Sequence, residues 1–205
     1  RYELNPIQLS VVEYFAGIGL VRMGLQDAGW HVVFANDFSA QKHEMYAEFF
    51  PDAENHYVIA DIFSLKPEKI PSALLATCSF PCIDLSLAGN MNGLSGKHSS
   101  AFWGFINILK EQGMAAPPLV LVENVPGWLS SNNGADFRVA VQALNNVGYA
   151  CDVFILDARR FVPQSRERVF LVGAKHRPKT NAPEALLNRS PALTNKRLKR
   201  AITAN

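Results

Sequence analysis

Short apolar runs alternate with stretches of helical periodicity along most of this 205-residue chain. Seven β-branched or apolar runs predict strands, over 9–15, 31–35, 57–60, 74–77, 119–122, 150–156 and 169–172. Four stretches with apolar residues at helical spacing predict helices, over 20–28, 40–50, 101–112 and 135–146. Because parallel strands need connections about as long as a helix, this alternation favours an α/β fold with a mostly parallel sheet and helices on both faces.

Charge is distributed unevenly along the chain. Residues 1–158 contain 8 Lys and Arg against 16 Asp and Glu, a net charge of −8, whereas residues 159–205 contain 12 against 2, a net charge of +10. A basic segment of this kind attracts a polyanion such as nucleic acid, although a solvated tail explains the run 196–200 equally well. The strand and helix pattern weakens beyond about residue 175, so we expect a folded domain over 1–175 and a basic linker over 176–205.

The composition excludes several classes of protein. With 48% hydrophobic and 19% charged residues, the chain resembles an ordinary globular protein. It contains no apolar run of about eighteen residues, so we expect no membrane span. Its three cysteines, Cys78, Cys82 and Cys151, cannot all pair, and they lack the CxxC spacing of a zinc site. We therefore expect no metal and a reducing, intracellular location.

The segment Phe15-Ala16-Gly17-Ile18-Gly19 connects the first predicted strand to the first helix. Glycines at such a turn let the backbone approach a ligand closely, and the start of the helix offers free N–H groups. The dinucleotide fingerprint GxGxxG is incomplete because Arg22 stands at the third glycine position. This departure disfavours a nicotinamide-dependent dehydrogenase.

Two carboxylates follow the next two predicted strands. Asp37 comes about twenty residues after the glycine turn, where an acidic residue can bind the two hydroxyls of a ribose. Phe38 can stack on an adenine ring, and Asp61 can accept a hydrogen bond from an adenine amino group. Together with Gly17 and Gly19, these residues predict a pocket for an adenosine-containing ligand.

A proline and a cysteine follow the fourth predicted strand. A free cysteine is usually a small buried apolar residue. Cys82, however, stands in a turn after Pro81, next to the predicted ligand pocket, which favours a nucleophile. The following loop, 87–98, is rich in Gly and Asn, so we expect it to close over the site.

Two further groups of polar residues surround the last strands. Glu123 directly follows the apolar run 119–122, where burial raises a carboxyl pKa and suits it to general acid catalysis, although a surface ion pair is the alternative. Gln164, Arg166 and Arg168 alternate as they enter the last strand and are expected to line one face. Guanidinium groups there can hold a nucleobase oxygen, a phosphate or a carboxylate such as that of Glu123.

The order FAGIG, ND, DI, PC, ENV and QxRxR over about residues 9–173 resembles that of the cytosine carbon-5 DNA methyltransferases. The resemblance implies a Rossmann-like methyltransferase fold, S-adenosylmethionine as cofactor with S-adenosylhomocysteine as product, and double-stranded DNA as substrate. It also implies which residues bind the cofactor: Phe15, Gly17, Gly19, Asp37, Phe38, Asp61, Ile62 and Pro81.

The same resemblance implies catalytic roles. Cys82 would attack carbon 6 of cytosine, and Glu123 would hold or protonate ring nitrogen 3. Arg168 would contact the ring carbonyl oxygen, while Arg166 would position Cys82 or the base. The resemblance further implies that four residues contact nucleic acid: Ser86, Gly89, Asn124 and Gln164.

The chain departs from the family in two respects. Ile83-Asp84-Leu85 follows Cys82, where the family usually has Gln and then Phe-Ser. In the family, a target-recognition domain and a late segment that completes the cofactor pocket follow the QxRxR strand. We therefore expect residues 176–205 to be a linker or the start of such a region, and a second chain or a missing segment to carry the rest. The 205 residues alone are expected to bind DNA weakly and methylate little.

Three functional hypotheses remain. The first is a DNA cytosine-5 methyltransferase, for example of a restriction-modification system. The second keeps the chemistry but acts on a tRNA cytosine, as one branch of the family does. The third is a non-catalytic methyltransferase-like module that binds nucleic acid. An amino-group methyltransferase is disfavoured because Pro117-Pro118 is followed by Leu119 rather than by an aromatic residue.

Overall fold

The computed structural model describes residues 9–81 and 101–175. In these parts of the chain seven strands are present, β1 (Ser10–Tyr14), β2 (His31–Asp37), β3 (Tyr57–Ile59), β4 (Leu75–Cys78), β5 (Leu119–Asn124), β6 (Ala150–Asp157) and β7 (Glu167–Ala174). Four α-helices accompany them, α1 (Leu20–Asp27), α2 (Ala40–Phe49), α3 (Ala101–Gln112) and α4 (Ala135–Asn146). The strand order in the sheet is β3-β2-β1-β4-β5-β7-β6. The predicted α/β fold with a mostly parallel sheet is confirmed.

Strands β1 to β4 form the parallel part of the sheet. β1 pairs with β2 and with β4, and β2 pairs with β3, all in parallel. Val11 and Val12 on β1 are both fully buried because helices cover both faces of this strand. Val11 packs in one core cluster with Tyr46 of α2, whereas the ring of Tyr14 lies 5.4 Å from that of Phe105 on α3.

The described chain divides into two compact units. The first contains residues 9–80 and Ala101–Leu121, and the second contains Pro81 and residues 122–175. In the second unit β6 and β7 are antiparallel, in register from Ala150↔Ala174 to Asp157↔Glu167. Only nine residues join these two strands, with a single turn of 3₁₀ helix (Ala158–Arg160) and no α-helix among them, so an antiparallel pairing is the expected outcome.

The start of β7 corrects one prediction. Gln164 and Arg166 were expected to share a strand face with Arg168, but β7 begins only at Glu167. The carboxylate of Asp157 accepts hydrogen bonds from the Arg166 backbone N–H at 2.8 Å and from the Ser165 hydroxyl at 3.1 Å. Residues 164–166 therefore precede the strand, so the two-residue alternation of a strand does not apply to them.

Candidate active site

The turn after β1 has an uncommon backbone conformation. Phe15, Gly17 and Gly19 have φ angles of 58°, 57° and 87°, in the left-handed region. A bulky aromatic residue rarely adopts such a conformation, and strained backbone of this kind concentrates at ligand-binding sites. The Gly19 N–H closes the turn by donating to the Ala16 carbonyl at 2.9 Å.

Residues of α2, of its C-terminal end and of β3 pack against this turn. A Cβ on Gly19 would lie 2.4 Å from a ring carbon of Phe50 and 2.9 Å from one of Tyr46, so only glycine fits there. The Tyr57 hydroxyl on β3 donates to the Gly17 carbonyl at 3.1 Å. Packing and hydrogen bonding therefore fix the turn against α2 and β3.

Asp37, the last residue of β2, connects the turn to the start of α2. Its carboxylate accepts hydrogen bonds from the Gly17 N–H at 3.1 Å and from the Ser39 N–H at 3.0 Å. The Lys42 ammonium forms an ion pair with the same carboxylate, at 3.2 Å from Oδ2. Asp37 is 2% exposed, whereas the adjacent Phe38 is 65% exposed and its ring is available for stacking.

Asp61 lies two residues beyond the end of β3. Its Oδ1 accepts a hydrogen bond from the Phe63 N–H at 2.8 Å, which starts a short turn of 3₁₀ helix. The preceding residue, Ala60, donates its N–H to the carbonyl of Asp37 at 3.1 Å. This hydrogen bond places Asp61 near the last residue of the neighbouring strand β2. Ile62 is buried against Gly104 of α3, which anchors this turn.

These residues of the first unit fit an adenosine-containing cofactor. Gly17 carries no side chain, and a Cβ there would meet nothing nearer than 4.0 Å, so a ligand can approach the backbone of this turn closely. Asp37 offers carboxylate oxygens at the end of the neighbouring parallel strand, and Phe38 offers an exposed ring. Pro81 is half-buried, and its cofactor-binding role stays a prediction.

A buried carboxyl lies in β1, two residues before the turn. Glu13 is 1% exposed, and neither carboxyl oxygen has a hydrogen-bond partner of normal geometry among the described residues. Burial raises the pKa of Glu13 to about 8, although the charge and the backbone N–H of Arg22 act in the opposite direction. Glu13 is therefore predominantly protonated at pH 7.

Arg22 occupies the position where a dinucleotide-binding motif has its third glycine. Its guanidinium is buried, binds both carboxylate oxygens of Asp52 at 2.7 and 2.8 Å, and donates to the Tyr46 hydroxyl at 3.0 Å. It also lies 3.0 Å from Nε2 of His56. Burial and the charge of Arg22 lower the pKa of His56, so this ring is neutral and accepts from the guanidinium. Arg22 thereby ties α1 to α2 and to the segment before β3.

The second unit contains two of the residues predicted to be catalytic, and they form an ion pair. Arg168 on β7 places Nε 2.8 Å from Oε1 of Glu123 on β5. Both side chains are about one-fifth exposed, at 21% and 23%. The sequence predicted Glu123 directly after the strand, but β5 continues to Asn124. Glu123 therefore lies within the strand, on its less buried face. The guanidinium fixes the direction of the carboxylate while part of the pair stays accessible to a substrate.

The remaining predicted residues have different surroundings. Arg166 and Gln164 are exposed. Asn124 is 4% exposed, and its side-chain oxygen accepts a hydrogen bond from the Val125 N–H at 2.8 Å. Three predicted residues lie outside the described part of the chain: Cys82, Ser86 and Gly89. The roles of all six stay predictions.

Neither a metal site nor a membrane-spanning helix is present in the described part of the chain. Among residues 9–81 and 101–175, no group of three or more His, Cys, Asp or Glu side chains could hold a metal ion. No helix within those ranges has the length and apolar character needed to cross a membrane.

Three residues near the predicted cofactor-binding residues were not themselves predicted from the sequence. Glu13 left a visible signal, because it is the one charged residue in an otherwise apolar strand. Lys42 and Tyr57 left none, since a lysine in a helix and a tyrosine in a strand are ordinary. Only their contacts with Asp37 and Gly17 connect them to the pocket.

Comparison with known proteins agrees with this arrangement. Residues 9–204 match the family described as C-5 cytosine-specific DNA methylase. Type II methyltransferase M.BsuFI of Bacillus subtilis is 30% identical over 168 residues, which cover 82% of this chain and 39% of that protein. Type II methyltransferase M.Bsp6I of a Bacillus species is 30% identical over 171 residues, covering 82% and 53%.

A solved structure shows the same fold. The DNMT2 protein of Spodoptera frugiperda superposes with a TM-score of 0.65 at 22% identity, covering 81% of this chain and 50% of that one. The chain spans about half the length, or less, of these relatives.

Proposed function

Because this chain belongs to the C-5 cytosine-specific DNA methylase family, we propose that it transfers a methyl group from S-adenosylmethionine to carbon 5 of cytosine in double-stranded DNA. Cys82 is the nucleophile. The observation that best supports this proposal is the Glu123–Arg168 ion pair, 2.8 Å long and partly exposed, formed by residues of the ENV and QxRxR motifs. A carboxyl and a guanidinium held together match the nitrogen and oxygen atoms along one edge of cytosine.

In this mechanism the chain's own residues activate a ring that resists attack. The Cys82 thiolate forms a bond from Sγ to carbon 6, and the electron pair of the carbon 5–carbon 6 double bond moves to carbon 5. Glu123 holds ring nitrogen 3 and the amino group, an effect worth about 10²–10⁴-fold in rate. Arg168 contacts the ring carbonyl oxygen and keeps the Glu123 carboxyl directed. Carbon 5 then takes the methyl group, and the bond from that group to the sulfur of the donor breaks, so that S-adenosylhomocysteine leaves. Water takes the carbon 5 proton, the carbon 5–carbon 6 double bond forms again, and the bond from carbon 6 to Sγ breaks to release the Cys82 thiolate.

The first unit supplies the residues that hold the cofactor. Asp37 binds the ribose hydroxyls, Phe38 stacks on the adenine, and Asp61 accepts a hydrogen bond from its amino group. Phe15 and Ile62 of the same unit complete this set of residues, and the family resemblance implies a further cofactor contact from Pro81. When bound, S-adenosylmethionine supplies the methyl group.

Before the attack, the Cys82 thiol must lose its proton and the target cytosine must leave the DNA stack. A free cysteine has a pKa near 8.5, so a cationic neighbour is needed to make Cys82 a thiolate at neutral pH, and Arg166 is our candidate. Stacked duplex DNA hides carbon 6, so the cytosine must flip out at a cost of a few kcal/mol. We further propose that residues 1–175 form the catalytic domain and that the basic residues 176–205 lead towards a target-recognition region, as in a restriction-modification enzyme.

A covalent trap tests the proposal. Duplex DNA with 5-fluorocytosine at the target site retains the enzyme after methyl transfer, because carbon 5 then has no proton to lose. The chain, with any segment or partner that carries target recognition, is expected to give a DNA adduct that survives denaturing electrophoresis. Cys82→Ala should abolish the adduct, whereas the matched Cys151→Ala should retain it, and Glu123→Gln should slow its formation about 10²–10⁴-fold.

The same experiment separates the other hypotheses. An adduct that persists in Cys82→Ala would contradict the assignment of the nucleophile. Methyl transfer to tRNA but not to duplex DNA would favour the tRNA enzyme. DNA binding without adduct or methyl transfer would favour a non-catalytic module.

A further inference from the structure

Lys42, in the first turn of α2, lies against the carboxylate proposed to bind the ribose. Its Nζ is 3.2 Å from Oδ2 and 3.4 Å from Oδ1 of Asp37. The Asp37 side chain is 2% exposed and that of Lys42 is 46% exposed, so the ammonium reaches a buried carboxylate from the solvent side.

The same side chain lies near two other residues of the proposed pocket. Its Nζ is 5.6 Å from the centroid of the exposed Phe38 ring. Its Cδ is 4.0 Å from the position that a Cβ on Gly17 would take. Lys42 therefore lies beside the carboxylate, the ring and the glycine turn that are proposed to hold the adenosine.

Of the hydrogen-bond donors to the Asp37 carboxylate, only some can be replaced by a ligand. A carboxylate offers about four acceptor positions. The Gly17 N–H binds Oδ2 and the Ser39 N–H binds Oδ1, and both are backbone groups fixed by the fold. Among the described residues, Lys42 is the one side-chain donor to this carboxylate, and it can swing into solvent. The two backbone donors leave about two acceptor positions on the carboxylate, which is the number that two ribose hydroxyls need. The Lys42 ammonium lies within 3.4 Å of both carboxylate oxygens and therefore competes for these positions.

We propose that Lys42 occupies the ribose position of the cofactor site, so that cofactor binding exchanges the Lys42–Asp37 ion pair for hydrogen bonds from the two ribose hydroxyls. This inference rests on the proposed function, because it assumes an adenosine cofactor at Asp37. Lys42 then weakens cofactor binding and keeps the buried carboxylate paired when no ligand is present. An ion pair with one partner half exposed changes an equilibrium constant by at most about fivefold.

Binding of S-adenosylhomocysteine tests this role. S-adenosylhomocysteine lacks the positively charged sulfonium of S-adenosylmethionine. Repulsion between Lys42 and a sulfonium therefore does not contribute to the measured affinity. Isothermal titration calorimetry is expected to show that Lys42→Met binds S-adenosylhomocysteine about twofold to fivefold more tightly than the wild type. Lys42→Arg, which retains a cation, should show no such gain. The matched control Lys69→Met removes an exposed lysine of the same unit and should leave the affinity unchanged.

A double-mutant cycle identifies the partner. In an Asp37→Asn background, which weakens binding by itself, adding Lys42→Met should give no gain because the ion pair is already absent. Raising the salt concentration should reduce the difference in affinity for S-adenosylhomocysteine between the wild type and Lys42→Met, because salt screens the half-exposed Lys42–Asp37 ion pair.

Each outcome has a defined meaning. Equal or weaker binding by Lys42→Met overturns the inference alone, provided that the wild type binds S-adenosylhomocysteine. A gain that persists in the Asp37→Asn background also overturns it, because the lysine would then act without its carboxylate. The titrations include any segment or partner that completes the cofactor pocket. If neither the wild type nor any variant then binds S-adenosylhomocysteine, the cofactor assignment of the proposed function fails and the inference fails with it.

Discussion

Glu13 is a single residue whose environment should control how stability depends on pH. It lies in the centre of the parallel strands, 1% exposed, and three polar side chains interact with it electrostatically: Arg22, Tyr46 and Tyr57. Burial raises its pKa from 4.5 to about 8. The folded chain therefore keeps a proton that the unfolded chain releases above about pH 4.5.

This difference predicts a loss of stability as the pH rises. The stabilising contribution of the bound proton is complete below about pH 4.5 and is lost up to about pH 8, at about 1.4 kcal/mol per pH unit. Glu13→Gln keeps the position uncharged, so its free energy of unfolding should fall less between pH 5.5 and 8. Urea denaturation at several pH values measures this. Glu111→Gln, which changes an exposed residue, should behave as the wild type. Identical pH dependence in Glu13→Gln and wild type would contradict the prediction.

At the scale of elements, α1 begins and ends with a glycine in the left-handed region. Gly19 precedes the helix with φ 87°, and Gly29 follows its end with φ 84°. The Trp30 N–H donates to the Leu25 carbonyl at 2.9 Å and so completes the C-terminal turn. The two positions differ in packing, because a Cβ on Gly29 would meet nothing within 4 Å whereas one on Gly19 would overlap Phe50.

A pair of alanine substitutions separates conformation from packing. Gly29→Ala should lower the free energy of unfolding by about 1–2 kcal/mol, the cost of a left-handed Cβ. Gly19→Ala bears the same cost and about 1–3 kcal/mol more, because the added methyl group overlaps the ring of Phe50. Urea denaturation of both variants measures the difference. Equal losses would show that α2 moves away from the turn without a penalty.

At the scale of the whole molecule, positive charge is concentrated near one end of an otherwise acidic chain. Residues 159–205 have a net charge of +10, and the run 196–200 contributes four cations within five residues. Neutralising phosphates with such residues releases condensed counterions, which makes DNA binding dependent on salt.

This charge distribution predicts how DNA binding responds to salt. Changing Lys196, Arg197, Lys199 and Arg200 together to Gln should weaken binding to duplex DNA. It should also reduce the slope of log affinity against log salt by about 0.9 for each phosphate that the variant no longer neutralises. Fluorescence anisotropy at several salt concentrations measures both quantities. The control Lys66→Gln with Lys69→Gln, in the acidic part of the chain, should leave the slope unchanged. An unchanged slope in the fourfold variant would contradict the prediction.

Most of the secondary structure was predictable because its signals are local. Apolar periodicity and glycines such as Gly29 mark where strands and helices begin and end, and every predicted element begins and ends within two residues of its observed bounds. The family resemblance, which rests on six short motifs in family order, was confirmed by the family match over residues 9–204. The strand face predicted to be shared by Gln164, Arg166 and Arg168 was wrong, because β7 begins only at Glu167. The Arg166 N–H binds the carboxylate of Asp157, nine residues away, a contact that no local pattern indicates.

The contacts of the site, by contrast, depend on residues that are distant in the sequence. The sequence by itself determined the α/β alternation, the glycine turn and the presence of Asp37, Glu123 and Arg168. It offered several partners for Arg168, and only the tertiary structure selected Glu123, 45 residues away, at 2.8 Å. Likewise only the fold brought the hydroxyl of Tyr57 to the Gly17 carbonyl. Periodicity reports which face a side chain occupies, but the partner it meets there depends on how the elements pack.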